Sequence, residues 1–520
     1  MNRTPAATTR CWMPLLLAAT LALAACGTAV RNPVTGETER TVMDERAEIT
    51  EGAKAHQEIL KSAGAVRDPA LQAYVNGIGQ KLAAQSHRSQ LKWTFTVLDS
   101  ADINAFALPG GYVYVTRGIM AYLDSEADLA GVLGHEIGHV TARHGAQRVT
   151  QQQRAGFWVL GAAVLGAVIA GDAGARAAGE LGQNIAAGHI AKYGREQELQ
   201  ADQLGAEYLA RVRYNPQNMV DVIQVLKSQE LFSAEAARAA GQPAPQGGGW
   251  LASHPSNDER LQAIRATAQR LAATRGGADA RSASASPWDD DGRARYLKAI
   301  DGMVFGDSPE QGLVRGRQFL HEPLGIALTA PAGWRILNDT DQLTLMNGER
   351  DAALVMKLIP DEVVKKVGTD HGAILRDALG ATQGTTEKLT LGGGLAATHF
   401  SGQRRNAQGQ VGPLTATIVS GPAGKLFLLG WSTRDAQALA RARAALREAE
   451  LSFRPMTAAD RAAARPWRVK VVPMPAGGFA ELARRTPLAD LPEQQMRLLN
   501  GAYGNGVHAP RPGDPVKLVQ

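Results

Sequence analysis

The residues best suited to chemistry stand together in Gly134-His135-Glu136-Ile137-Gly138-His139. Apolar Leu129, Val132 and Leu133 precede them at helical spacing, so the segment predicts a helix. On such a helix imidazoles at i and i+4 project from one face, and both can reach a single cation about 2.0–2.1 Å away. Glu136 lies beside that face, placed to take a proton from a metal-bound water instead of ligating the metal. The chemistry implied is metal-assisted hydrolysis. A catalytic zinc ion also needs a third protein ligand and an open position. A later helical segment supplies Glu196, Glu198 and Asp202. Glu198 and Asp202, four apart, share a face: one can bind the ion while the other accepts a hydrogen bond from a ligand histidine.

Several elements must hold these groups. From Glu48 to about Gln85 the apolar residues recur at three- and four-residue intervals, predicting two helices. Trp93–Leu98 and Gly111–Thr116 are β-branched and aromatic and read as strands, joined through Asn104–Gly110. Ser125 with Asp128 three residues later predicts a capped helix start running past His139. Further helical patterns cover 185–209, 219–231 and 259–271, with a Pro/Gly-rich loop at 241–249. Residues 155–171 carry no charge, which predicts a buried helix or a flap over the site, with a dip into a membrane as the alternative.

Residues 46–272 resemble the family-48 metallopeptidases, the gluzincins that include prenyl-protein endopeptidases, HtpX-like heat-shock proteases and periplasmic quality-control proteases. Three stretches carry the resemblance: Asn104-Ala105-Phe106-Ala107-Leu108-Pro109-Gly110-Gly111, then His135–Val140 with His144 beyond, then Glu198-Leu199-Gln200-Ala201-Asp202. Their order and separation also match. The resemblance implies one zinc ion per chain held by His135, His139 and Glu198, with Asp202 supporting the site. It implies that the strand at Val113, Tyr114 and Val115 pairs with an extended substrate backbone as an edge strand. It also points to Ser253-His254-Pro255 and to Arg260: His254 either steadies the tetrahedral oxyanion or caps the metal in a latent form, and Arg260 is the other candidate oxyanion partner. The chain departs from the family pattern at Gly194, commonly Ser, and at Gln200, often Glu. Neither position is an expected ligand.

The N-terminus bears on location. Arg3 and Arg10 precede an apolar run from Trp12 to Ala25, too short for a membrane span but suited to a signal peptide. Leu23-Ala24-Ala25-Cys26-Gly27 resembles the bacterial lipoprotein box, which makes 1–25 a leader, Cys26 the lipidated first residue and the protein a periplasmic one anchored to the outer membrane, Gly27 being compatible with onward transport. Cys11, the only other cysteine, would leave with the leader, so no disulfide is expected. The formal charge of +6 falls to +4 once two arginines are removed, too dilute an excess to argue for nucleic acid.

The fold expected is multidomain: a polar tether (26–45), a mainly α zincin-type (α+β) metalloprotease domain with a small edge sheet (46–272), a linker (273–291), an α+β domain without assigned chemistry (292–460), and a small βααβ unit (467–520). The last, with Phe479–Ala483, Leu498–Gly501 and Arg511–Lys517, resembles a degenerate LysM module, which implies peptidoglycan as a partner beside protein substrates and the membrane. The function expected is a zinc endopeptidase acting on misfolded or misassembled envelope proteins. Two other functional classes share these features, a zinc-gated chaperone or assembly factor and a cell-wall adaptor, and the intact ligand set argues against the second.

Overall fold

The computed structural model describes residues 27–151, 193–239, 241, 254, 258–276, 288–339, 342–405, 410–504 and 509–520. The leader with Cys26, the uncharged segment 155–171 and most of the 241–249 loop and 273–291 linker lie outside them. The chain divides into two compact units, Met1–Met303 with Val469–Gln520, and Val304–Arg468.

In the first unit, β1 (Thr28–Arg31) and β2 (Thr38–Thr41) pair as an antiparallel hairpin where a tether was expected. Asn32 fixes its turn, accepting from the Val34 and Thr35 backbone N–H groups and donating to the Ala142 carbonyl at 3.2 Å. Helix α1 (Glu45–Ser62) starts at the N-cap Asp44, and α2 (Pro69–Ala83) at Asp68 with proline in its first turn. Leu71, Val75, Ile78 and Leu82 make the buried stripe of α2. A three-stranded sheet follows in spatial order β3 (Thr94–Leu98), β5 (Tyr112–Thr116), β4 (Ala105–Leu108), with β3 and β5 parallel and β4 antiparallel to β5.

After α3 (Arg117–Tyr122) comes α4 (Glu126–Thr141), which carries the histidine motif. Its N-cap Ser125 accepts from the Asp128 N–H, as its spacing predicts. Every residue of α4 is buried, so it is the central helix of the unit. Around it stand α5 (Arg195–Arg211), α6 (Asn218–Ala239) and α7 (Asp258–Gly276). Arg293–Ile300 forms a further helix of this unit, its Tyr296 hydroxyl donating to the Met120 carbonyl at 2.5 Å; the second compact unit therefore starts at Val304, twelve residues beyond the expected boundary.

The C-terminal stretch has the β-α-α-β order expected: strands Trp467–Pro473 and Pro515–Val519 pair antiparallel, with helices Gly478–Ala483 and Pro492–Leu499 between them in sequence. From Val469 onward it packs into the first unit. Lys517, fully buried, places Nζ 3.1 Å from Asp124 and 2.6 Å from the Leu123 carbonyl oxygen.

The second unit holds a seven-stranded antiparallel sheet whose central strands are Ala352–Leu358 and Leu426–Thr433. Leu354, Met356, Phe427 and Leu429 share a core with Leu446 of the helix Ala436–Leu451. Three of its strands, Arg335–Asn338, Ala381–Leu391 and Leu395–Arg405, have no counterpart in the sequence-based expectation.

On α6, burial first and then the Asp128 and Asp124 carboxylates push Asp221 up to about 7, against about 3.9 for an unfolded aspartate. The stability linked to a raised carboxyl is complete below the unfolded value and is lost as pH climbs through the folded one. Asp221→Asn should therefore melt a few degrees above wild type at pH 8, for about 1–3 kcal/mol, and no higher at pH 4. Equal shifts at the two pH values in a thermal melt would refute this account.

Candidate metal centre

The site begins with a close helix crossing. Gly134 and Gly138 of α4 face Ala201 and Gly205 of α5: a Cβ on Gly138 would stand 2.9 Å from the Ala201 carbonyl oxygen, and one on Gly205 3.0 Å from the His135 nitrogen. Without side chains there, the backbones meet directly. Glu198 and Asp202, on the face of α5 that the crossing turns inward, then oppose His135 and His139.

The ring atoms His135 Nε2 and His139 Nε2 are 3.0 Å apart. Glu198 places Oε1 3.4 Å from His139 Nε2 and Oε2 3.6 Å from His135 Nε2. His254 adds Nδ1 at 3.2 Å from His135 Nε2 and 2.9 Å from Glu198 Oε1. One donor atom from each of these four buried residues lies within 4.8 Å of all the others. Such separations resemble the edges, about 3.4 Å, of a tetrahedron of ligands about 2.1 Å from one ion. Nitrogen and carboxylate donors in that shape fit a divalent metal of the zinc type. Glu136 is buried beside the cluster, with Oε1 3.6 Å from His254 Nε2.

Behind the donors, Asp202 Oδ1 meets His135 Nδ1 at 2.9 Å. Burial works against a charge on His135, but Asp202, Glu198 and Glu136 outweigh it and hold the pKa above its ordinary value. Burial also pushes Glu198 upward, and His254, His139 and His135 overcome it, so the carboxylate stays far below the usual range. Arg260 was a candidate partner for the oxyanion, and its geometry assigns it elsewhere. Nε and Nη2 donate to the two Asp202 oxygens, both at 2.8 Å, and Nη1 lies 2.8 Å from Glu198 Oε2. Its planar fork is directed at the carboxylates that support and complete the site.

The expected substrate strand also changes. Val113, Tyr114 and Val115 lie in β5, which is hydrogen-bonded to β3 on one side and to β4 on the other. A central strand has no free edge to offer. The edge on this side is β4, read from sequence as a connection. Its end, Ala107-Leu108, lines a shallow cleft with Pro109, His139, Ala146 and Tyr193. Tyr193, which sequence reasoning did not single out, stacks on His139 with ring centroids 3.9 Å apart and a 24° angle. A lone tyrosine two residues before the acidic helix carries no spacing or pairing signal by which it could have been found.

The family model described as Peptidase family M48 matches residues 69–268. The chain is 33% identical over 215 residues to the Beta-barrel assembly-enhancing protease of Yersinia pestis, covering 40% of this chain and 41% of that one. To the protein of the same name in Escherichia coli (strain K12) it is 29% identical over 219 residues, again 40% and 41% of the two chains. A third relative is the Mitochondrial metalloendopeptidase OMA1 of Schizosaccharomyces pombe, 28% identical over 192 residues, 37% of this chain and 51% of that one. The match thus spans 41% of the length of the two bacterial relatives.

The crossing makes a sign prediction. Gly→Ala inside a helix ordinarily stabilises by about 0.5–1 kcal/mol. At Gly138 the added carbon meets the Ala201 backbone at 2.9 Å, so α5 must move outward, taking Glu198 with it. Gly138→Ala should melt lower than wild type and bind zinc at least tenfold more weakly in chelator competition; a higher melting temperature would contradict the crossing.

Proposed function

Since residues 69–268 are a peptidase family M48 domain, we propose that this chain is a zinc-dependent endopeptidase of the bacterial cell envelope, with His135, His139 and Glu198 as metal ligands and Glu136 as general base. The observation that carries this reading is the convergence of two imidazoles of α4 and a carboxylate of α5, all buried, within bonding range of one ion. Zinc bound there would polarise the scissile carbonyl and acidify a water molecule. Glu136 accepts the proton of that water and delivers it to the leaving amine. Asp202 keeps the His135 ring turned toward the centre, and Arg260 holds Asp202 and Glu198 against each other. The substrate lies extended along β4, the outer strand of this sheet among the described residues, main chain to main chain.

His254 supports a latent resting form. Its ring stands between Glu198, 2.9 Å away, and Glu136, 3.6 Å away, where a water and a carbonyl oxygen would need to be. In this reading His254 must leave the centre before cleavage.

The relatives named for β-barrel assembly, together with the leader and lipidation sequence at Cys26, support a periplasmic enzyme anchored to the outer membrane that acts on misassembled envelope proteins. The C-terminal βααβ unit supports a scaffolding part more than a free peptidoglycan-binding one, since Lys517 is buried against Asp124 and the Tyr503 hydroxyl bonds to Glu235 of α6. A zinc-gated assembly factor is the competing function: it requires the metal but not the base.

Glu136→Gln in residues 27–520 should keep its zinc and lose casein cleavage by about 10²–10⁴-fold. Full cleavage in that variant would dismiss the general base, and rescue of an envelope-assembly defect by it would select the assembly factor. His254→Ala should raise basal cleavage severalfold if the residue is a latch. A fall of tenfold or more would make it an oxyanion partner instead.

A further inference from the structure

We infer that His144 and Gln200 form a proton-bond relay that fixes the tautomer of His139, so that its Nε2 faces the metal centre as a bare donor. The inference rests on the proposed metal site and adds two positioning residues to it.

Each ligand histidine has a second ring nitrogen that must be satisfied, because an unpartnered buried donor is costly. For His135 that partner is Asp202, whose oxygen can only accept, so the proton sits on Nδ1 and Nε2 is left bare. Among the described residues His139 has no carboxylate in this role. Its Nδ1 lies 2.8 Å from His144 Nδ1, ring nitrogen to ring nitrogen, and a bond between two imidazoles leaves open which of them donates. The next link decides it. His144 Nε2 lies 2.9 Å from Gln200 Oε1, and an amide oxygen only accepts. The His144 proton therefore sits on Nε2, its Nδ1 accepts from His139 Nδ1–H, and His139 Nε2 is the lone-pair nitrogen. Turning the Gln200 amide over reverses every step: nitrogen would donate to His144, His144 would donate to His139, and a proton would point from His139 into the centre, where no cation could bind. Only the orientation with Oε1 toward His144 is compatible with the metal.

The arrangement is built in. His144 is fully buried, its backbone held just beyond the end of α4 where Arg143 turns with φ 61°. Gln200 lies on α5 between Glu198 and Asp202. One helix thus supplies a ligand, the acceptor for His135 and, through His144, the acceptor for His139. The relay requires an acceptor at Gln200 and no charge.

The experiment is zinc affinity by chelator competition on residues 27–520, with the visible absorption of the cobalt-substituted protein and the melting temperature of the metal-free protein alongside. Gln200→Met and His144→Phe, similar in volume and unable to direct a proton, should weaken zinc binding about 10–100-fold and alter the cobalt band, a loss larger than any fall in metal-free stability accounts for. Gln200→Glu, an acceptor only, should bind within about threefold of wild type, a difference under roughly 1 kcal/mol. The relay is overturned if Gln200→Met and His144→Phe bind as tightly as wild type, if Gln200→Glu is as weak as Gln200→Met, or if the losses follow a matching drop in metal-free stability. Should wild type itself bind no zinc at this centre, the functional reading falls and the relay with it, an outcome distinct from the other three.

Discussion

The backbone-to-backbone crossing of α4 and α5 is the constraint on which the rest of the site depends. Imidazoles at His135 and His139 reach only a few ångströms from α4, and Glu198 has one carboxylate to meet them. With Gly134, Gly138, Ala201 and Gly205 at the contact, the axes come together without intervening side chains, and the carboxylate arrives 3.4 Å from one ring nitrogen and 3.6 Å from the other. A larger residue at the crossing would separate the donors by more than any rotamer could restore. The small residues of the motif therefore act on the chemistry as directly as the histidines do.

Closeness creates an electrostatic problem. Glu136, Glu198 and Asp202 are buried together, and Arg260 is the guanidinium bonded to two of them. Among the described residues these three carboxylates face one guanidinium, an excess of acid groups in a region withdrawn from water, where an uncompensated charge costs several kcal/mol. A divalent ion cancels that excess. The donor geometry and the charge count thus point to the same occupant by separate arguments, and both give Arg260 its place: it offsets what the metal alone would not, from behind, without occupying the face where a substrate must come.

Sequence reading reached the residues whose meaning is local. The His135/His139 spacing, the Ser125 cap and the Glu198/Asp202 face depend on one helical turn, and the structure has each of these elements in place. What it missed depends on pairing at a distance. Ala105–Leu108 reads as a connection because four residues without a β-branched side chain declare no strand; β5 alone makes it one, and the same pairing moves Val113–Val115 from the edge to the middle. The long strands Ala381–Leu391 and Leu395–Arg405 were likewise hidden, since the first is exposed along most of its length and has no apolar alternation to show. The expected tether instead begins with a hairpin, its turn held by Asn32. Burial of Lys517 against Asp124, nearly 400 residues away in sequence, leaves no local trace at all.

Arg260 also links support to control. Its Nη1 lies 3.3 Å from the His254 carbonyl oxygen, so the guanidinium that fixes Asp202 and Glu198 also holds the backbone of the residue whose ring stands among the donors. Displacing His254 therefore breaks one neutral-acceptor bond of Arg260 and leaves its charge-assisted bonds to Asp202 intact. Asp202 still orders His135, and Gln200 still orders His139 through His144. The charge-assisted bonds that hold Asp202 and Glu198 run between α5 and α7, so the donors of α4 and α5 keep these supports whatever position His254 takes.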